Sequence, residues 1–279
     1  MNEKEIATKH LVAGQYFLNV AEELEEKGAK EAESYYCKAI ECYTKAAEIE
    51  FDNKDLLERI GDLYRKIDNP LRAIELHEKA LKIDPTDQKL LRKLAEEYFS
   101  ATFKVKLSFE KERYYIKSEK LFLKYLRHCP SDADTWISLG FIYHHYLKEY
   151  EEAKQCYDKA LELQPNNIKA ITHVAELQRR LGNYEEAIKL YERRCEITPN
   201  DHHPFWSIAS VHAEMGDFQK AIDYMKKAIE RAPQSSALWE DLEDFYAHIG
   251  DYNSAKECRN KAAEIRSKRI NQEKSVQGK

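Results

Sequence analysis

The stretch TWISLGFIYHHYLKEYEEAKQCYDKALELQP, residues 135–165, contains two helix-forming segments joined by a short turn. In the first segment Trp136 is followed by Leu139, Gly140 and Tyr143, a spacing that places all four residues on one helical face. The second segment repeats apolar residues with the same period and ends at Pro165. The stretch therefore predicts a helical hairpin whose apolar faces need a neighbour to cover them.

The same pattern recurs along the chain. Prolines at positions 85, 130, 165, 199 and 233 are separated by 45, 35, 34 and 34 residues. Most of them end a similar phrase, namely RAIELHEKALKIDP, EEAKQCYDKALELQP, EEAIKLYERRCEITP or QKAIDYMKKAIERAP. Turns such as LGNY, MGDF and IGDY precede these phrases, and there Gly suits a helix C-cap while Asn or Asp suits the next N-cap. A fixed period of this length indicates an array of helical hairpins.

These residues resemble the tetratricopeptide repeat, a 34-residue helix-turn-helix with the signature W-x2-L-G-x2-Y followed by small, aromatic and proline positions. Residues 133–167 match this signature best, at Trp136, Leu139, Gly140, Tyr143, Ala153, Tyr157, Ala160 and Pro165. The resemblance implies an all-α fold, a right-handed α-solenoid of about seven antiparallel helix pairs.

The repeat register also predicts the domain organisation. Residues 1–53 are expected to form a divergent, elongated hairpin with helices near 5–27 and 30–50. Six repeats are expected at 54–87, 88–132, 133–167, 168–201, 202–235 and 236–269. The second of these has 45 residues instead of 34, an insertion of 11 around residues 99–117. Eleven residues are close to three helical turns, so both helices can lengthen, and we expect the segment FKVKLSFEKERYYIK to protrude beyond the neighbouring repeats. Residues 270–279 are expected to be a disordered tail.

Composition narrows the functional classes. The net charge is −5, so the whole chain has no general attraction to nucleic acid or to an anionic membrane. No apolar run approaches the length of a membrane span, and the N-terminal MNEKEIATKH lacks the apolar core of a secretory signal. The six cysteines form no C-x-x-C pair, which suits a reducing compartment. We therefore expect a cytoplasmic protein that does not insert into membranes.

The sequence lacks the common catalytic and metal-binding motifs. The sequence contains no Gly-rich phosphate loop, no H-E-x-x-H and no G-x-S-x-G, and the repeats leave no room for a separate catalytic domain. The histidines between 144 and 212 include no pair at a spacing of four, and no cysteine stands at a ligand-like offset from them. We therefore predict a non-enzymatic protein without a catalytic residue, a metal site or a cofactor.

The resemblance implies a binding surface instead. In this family the first helix of each repeat lines a concave groove that typically holds a peptide or a helix of a partner. Carried onto this chain, the groove positions give a basic and aromatic set of candidate residues: Lys89, Arg92, Lys93, Phe141, His144, His145, Lys169, His173, Arg180 and Trp206. The implied partner is a protein or peptide with acidic and apolar residues, and the implied role is that of an adaptor or scaffold.

Two alternatives stay open on the sequence alone. The protein could instead be an RNA-binding helical-repeat protein that uses the basic and aromatic middle of the groove. The segment KVKLSFEKERYYIK mixes Lys and Arg with aromatic residues that could stack on bases, although acidic residues interrupt the basic track and nucleic acid is disfavoured. The elongated hairpins at 1–53 and 88–132 could instead provide a surface for self-association, which would make the protein a homo-oligomeric scaffold.

Overall fold

A computed structural model describes residues 2–50 and 52–277, with side chains up to residue 270. This part of the chain consists of α-helices and contains no strand. The helices are α1 (Glu3–Glu26), α2 (Ala32–Ala47), α3 (Lys54–Lys66), α4 (Pro70–Ile83), α5 (Gln88–Ala101), α6 (Ser108–Leu126), α7 (Ala133–Ile142), α8 (Tyr150–Leu163), α9 (Ile168–Arg180), α10 (Tyr184–Ile197), α11 (His203–Glu214), α12 (Phe218–Arg231), α13 (Ser236–His248) and α14 (Tyr252–Gln277). The predicted all-α class is confirmed.

The chain divides into two compact units, residues 1–135 and 136–279. In the first unit α1 packs on α2, α3 on α4 and α5 on α6, and each hairpin contacts the next through α2–α3 and α4–α5. In the second unit α9 packs on α10, α11 on α12 and α13 on α14, with α8–α9, α10–α11 and α12–α13 contacts between hairpins. Each unit is thus a row of helical hairpins, the arrangement from which α-solenoids are built.

The turn inside a hairpin has a recurrent left-handed residue. Gly182, Gly216 and Gly250 have φ of 80°, 80° and 78°, values that glycine adopts without a steric penalty. The same position is Asp68 in the α3–α4 turn and Lys148 in the α7–α8 connection, with φ of 56° and 62°. The hairpin turn therefore requires a left-handed conformation whether or not glycine occupies it.

Close packing inside three hairpins explains three of the other glycines. A Cβ atom added to Gly140 would lie 2.6 Å from a ring carbon of Tyr157, and one added to Gly14 would lie 2.7 Å from the ring of Tyr43. In the second hairpin the equivalent atom on Gly61 would lie 2.4 Å from Nε2 of a histidine, His77. The missing side chain lets the first helix of each hairpin approach a ring on the second.

The 11-residue insertion is accommodated unequally. α5 has 14 residues, close to the 13 of α3, whereas α6 has 19 compared with the 14 of α4. α6 therefore takes up part of the insertion by lengthening, α5 does not lengthen appreciably, and the remaining residues form the connection at 102–107. The expected tail stays a prediction: the described helix reaches Gln277, and residues 278 and 279 lie outside the described residues. No described helix has the length and apolar character that crossing a membrane requires.

Candidate partner-binding surface

The two central basic residues of α5 are engaged by acids of their own unit. Arg92 lies 2.9 Å from Glu96 and 3.0 Å from Asp132, and Lys93 lies 2.9 Å from Asp62. Their side chains are half-buried, with exposed fractions of 39% and 23%. Both side chains cross-link neighbouring helices, so a partner can use their charge only by competing with these acids.

A cluster of aromatic rings lies on the first-helix face of the second unit. The ring of Phe141 is 4.2 Å from that of His145 and 5.4 Å from that of His173. His173 stacks in turn on Tyr157 of α8 at 5.5 Å. Phe141, His145 and His173 are all half-buried, so each keeps part of its surface exposed. The fold thus brings together three of the candidate residues, one each from α7, the turn that follows it and α9.

His144 lies beneath this cluster and not on its surface. Residues Tyr143–Leu147 form a single π-helical turn that ends at Lys148. This turn buries His144 completely, stacks its ring 4.1 Å from that of His145, and leaves both of its ring nitrogens without a hydrogen-bond partner. His144 therefore packs against the ring of His145 from the protein interior.

Burial keeps these imidazoles neutral. Desolvation, reinforced by His145 and Arg180, lowers the pKa of His144 to about 4. Desolvation likewise lowers the pKa of His173 to about 4, with a further contribution from His145. The pKa of His145 is lowered by desolvation and by Arg180. At neutral pH the cluster is therefore an uncharged aromatic surface.

Positive charge flanks this neutral surface. Lys169 and Arg180, at opposite ends of α9, are exposed and form no ion pair with any residue that the structure describes. In the first unit, Lys89 is also exposed and forms no ion pair with a described residue. Exposed, unpaired cations beside an apolar surface are available to carboxylates of a binding partner.

The indole of Trp206 is partly committed within the fold. It is 39% exposed, and its Nε1 donates a hydrogen bond to a carboxylate oxygen of Asp241 at 2.7 Å. The indole N–H is therefore satisfied within the second unit, which leaves the ring face of Trp206 as the part that a partner can contact.

Family models for the tetratricopeptide repeat match residues 56–91, 131–200 and 203–235. The chain is a tetratricopeptide repeat protein.

Solved structures of tetratricopeptide repeat proteins resemble the chain in fold. A protein from Parabacteroides merdae ATCC 43184 superposes with a TM-score of 0.63, covering 91% of this chain and 93% of that one at 19% identity. YrrB, described as a TPR protein with an unusual peptide-binding site, gives 0.54 over 70% of this chain and 95% of its own at 20% identity. MamA from Desulfovibrio magneticus RS-1 gives 0.54 over 65% and 96% at 19% identity. No curated protein sequence matches significantly.

His77 and Glu97 form a buried polar pair that was not predicted from the sequence. His77 occupies the position that Tyr157 and Tyr191 occupy in later repeats. Glu97 occupies the position of Leu177 and Val211, which are both apolar. Both residues are buried, with exposed fractions of 0% and 3%. The repeat register could have revealed this pair, because Glu97 is a charged residue at a position that is apolar in later repeats, and a buried charge requires a partner.

Two groups of potential metal ligands have donor atoms within 4.8 Å of one another: Asp62, His77 and Glu97, and Asp201, His202 and His203. In the first group His77 Nδ1 is 2.7 Å from Glu97, and Asp62 is paired with Lys93. In the second, Asp201 is paired with Arg194 at 2.6 Å. Lys93 and Arg194 thus already pair with Asp62 and Asp201, and a metal ion would have to compete with these cations for the two carboxylates.

Proposed function

We propose that this tetratricopeptide repeat protein is a non-enzymatic interaction module that binds a segment of a protein partner on the first-helix face of its second unit. The observation that carries the proposal is the half-buried contact of Phe141, His145 and His173, flanked by the exposed Lys169 and Arg180. An apolar anchor of the partner would lie against the rings, and its carboxylates would approach the two cations. Aromatic and Arg residues commonly provide most of the binding energy in such interfaces.

The relatives support a protein-interaction role for the fold. The family is generally a non-enzymatic interaction fold, and the structural relative YrrB is described as having a peptide-binding site. We extend this capability to the present chain on the chemistry of its own α7 and α9. All six cysteines are free thiols, which suits our further proposal of a cytoplasmic location.

The RNA alternative is weakened by the partners of the basic residues on α5. Arg92 and Lys93 face acids at 2.9 to 3.0 Å, so they interrupt the continuous basic track that phosphate contacts need. Self-association remains compatible with the fold, and size-exclusion chromatography with light scattering at several concentrations measures it directly.

Selection of random peptides displayed on phage against the wild-type chain tests the proposal. Recovered peptides are expected to combine acidic residues with an aromatic or aliphatic anchor. Their affinity should fall at least about tenfold for Phe141→Ala and for Arg180→Glu, because each variant removes an anchor contact or reverses a facing charge. Lys154→Glu, an exposed lysine on α8, makes the same charge change elsewhere and should leave affinity unchanged. Equal affinities for Arg180→Glu and Lys154→Glu would reject this face as the site.

A further inference from the structure

A second groove, remote in sequence from the proposed site, lies on the first unit between α4 and α6. It is an open groove with a volume of about 570 Å³, and it is lined by Glu78, Leu81, Lys82, Pro85, Leu94, Tyr98, Lys117, Lys120, Leu121 and Lys124. Its volume lies within the range of about 300–1,000 Å³ that is typical of ligand sites. It is built from second helices, together with two residues of α5, so it does not use the first-helix candidates Lys89, Arg92 or Lys93.

The floor of this groove is apolar. Leu94 is buried with only 1% of its surface exposed, while Leu81 and Leu121 are half-buried and present apolar surface towards the opening. Leu81 and Leu121 pack against the small core formed by Ile74, Leu94 and Tyr98. Apolar surface that is left partly open in this way gains free energy when an apolar side chain covers it.

The rim of the groove is basic. Four of the lining residues are lysines, and Glu78 is the single acid among them. Lys82 and Lys120 are exposed and form no ion pair among the described residues, and Lys124 donates to the neutral backbone carbonyl of Pro85. Three of the four ammonium charges therefore lack an acidic partner.

The fourth lysine is held in a network with the only acid. Lys117 Nζ lies 2.8 Å from Glu78 Oε1 and 2.6 Å from the hydroxyl of Tyr98, which itself hydrogen-bonds Glu78. Burial tends to raise the pKa of Glu78, but the hydrogen bonds from Lys117 and Tyr98 outweigh burial and lower it, so Glu78 is ionised at neutral pH. The network fixes Glu78 against Lys117, and Lys82 also attracts Glu78 without forming an ion pair, so Lys120 and Lys124 face an incoming ligand with the least acidic competition.

We propose that this groove binds a short acidic amphipathic helix of a protein partner. Leucine or phenylalanine side chains on one face of the helix would cover Leu81 and Leu121, and flanking Asp or Glu residues would pair with Lys82, Lys120 and Lys124. An apolar floor between rows of like charge matches the recognition of a helix in a groove. α4 and α6 run for 14 and 19 residues, which gives the groove helical walls.

Other classes of ligand fit this groove less well. Single-stranded nucleic acid needs exposed aromatic faces on which bases stack, and Tyr98, the aromatic residue of the lining, is only 2% exposed. An anionic membrane presents a flat surface, which would contact a groove lined by residues of α4, α5 and α6 less completely than a helix that enters it. The acidic helix is the occupant that meets both the floor and the rim.

Fluorescence anisotropy of the full chain with a labelled helical peptide of Glu, Leu, Phe and Ala tests this inference. Lys120→Glu/Lys124→Glu should lower affinity at least about tenfold, because two facing charges are reversed. Lys9→Glu/Lys30→Glu makes the same charge change on exposed lysines away from the groove and should match the wild type. Leu121→Ala should also weaken binding, since it removes part of the floor. Circular dichroism melts establish that every variant is folded.

A second measurement uses the wild-type chain alone. The same peptide carrying a photoreactive benzophenone should cross-link to residues between 78 and 124, identified by mass spectrometry. Cross-links confined to the second unit, or equal binding by both double variants, overturn the inference. So does stronger binding of a Lys-substituted peptide, of poly-uridine RNA or of phosphatidylserine vesicles. Because this groove and the proposed first-helix site share no residue, cross-links between residues 78 and 124 report on this groove and cross-links in the second unit report on the first-helix site, so each proposal can fail separately.

Discussion

The Nδ1 atom of His77 lies 2.7 Å from a carboxylate oxygen of Glu97, and both side chains are buried between α4 and α5. The other ring nitrogen, Nε2, is 3.1 Å from the backbone carbonyl of Glu58. Each nitrogen of the imidazole thus faces an acceptor. A buried pair of this kind holds two hairpins together in a defined register, at the cost of removing a carboxylate from water.

A double-mutant cycle on this pair gives the first prediction. His77→Tyr alone leaves the Glu97 carboxylate buried and unpaired, so the free energy of unfolding should fall by about 3–5 kcal/mol. His77→Tyr combined with Glu97→Leu recreates the Tyr157 and Leu177 combination of a later repeat and should be close to wild type or more stable. Urea unfolding followed by circular dichroism measures each variant. A double variant as unstable as the single one would show that the pair is not an exchangeable unit.

The second prediction concerns the stability of the folded chain at acidic pH. The pKa of His144 is about 6.5 in an unfolded chain and about 4 in the folded one, so the unfolded state binds more protons between these values. Stability should therefore be complete above about pH 6.5 and decline as the pH falls towards 4, by up to about 3 kcal/mol from His144. Urea midpoints at a series of pH values test this. His144→Phe should flatten the dependence, whereas His203→Gln, an exposed histidine of the same unit, should not.

The third prediction concerns the left-handed turn residues. Lys148→Gly should raise the stability of the second unit by about 0.5 kcal/mol, because removal of the Cβ relieves about 1 kcal/mol of strain at φ 62° and the added chain entropy offsets part of it. Gly182→Ala at φ 80° should have the opposite effect, a loss of about 1 kcal/mol. Lys148→Ala keeps the Cβ and serves as the control. Thermal melts distinguish the three, and stabilisation by Lys148→Ala equal to that by Lys148→Gly would contradict the strain argument.

The fourth prediction concerns close packing in the hairpin of α7 and α8. Gly140→Ala should destabilise the second unit by about 1–3 kcal/mol, because the new Cβ would lie 2.6 Å from the ring of Tyr157. Adding Tyr157→Met should recover part of the loss, since the repeat of α11 and α12 combines Ala209 with Met225 at the same positions. Differential scanning calorimetry of both variants tests the argument, and additive losses would argue against a shared contact.

The sequence predicted the helical hairpins well because glycine, proline and apolar spacing all report local structure. It did not predict the burial of His144, because the assignment of groove positions assumes a regular helical period and the π-helical turn at Tyr143–Leu147 breaks that period. Nor could it show that Arg92 is paired with Asp132, 40 positions along the chain, because such a contact depends on how neighbouring hairpins pack. For Phe141, His145 and His173, the groove positions predicted that all three lie on one face, but they did not predict the ring contacts between them.

The π-helical turn also has a practical consequence for protein engineering. The repeat of α7 and α8 is one residue longer than the repeats after it, and Tyr143–Leu147 absorbs the extra residue before α8 begins at Tyr150. Because α8 still ends one residue before Gln164-Pro165 and α9 begins at Ile168, the spacing is restored within the same module. A consensus module of standard length could therefore replace this one without changing the packing register of later modules. This makes it a suitable junction for chimeric arrays.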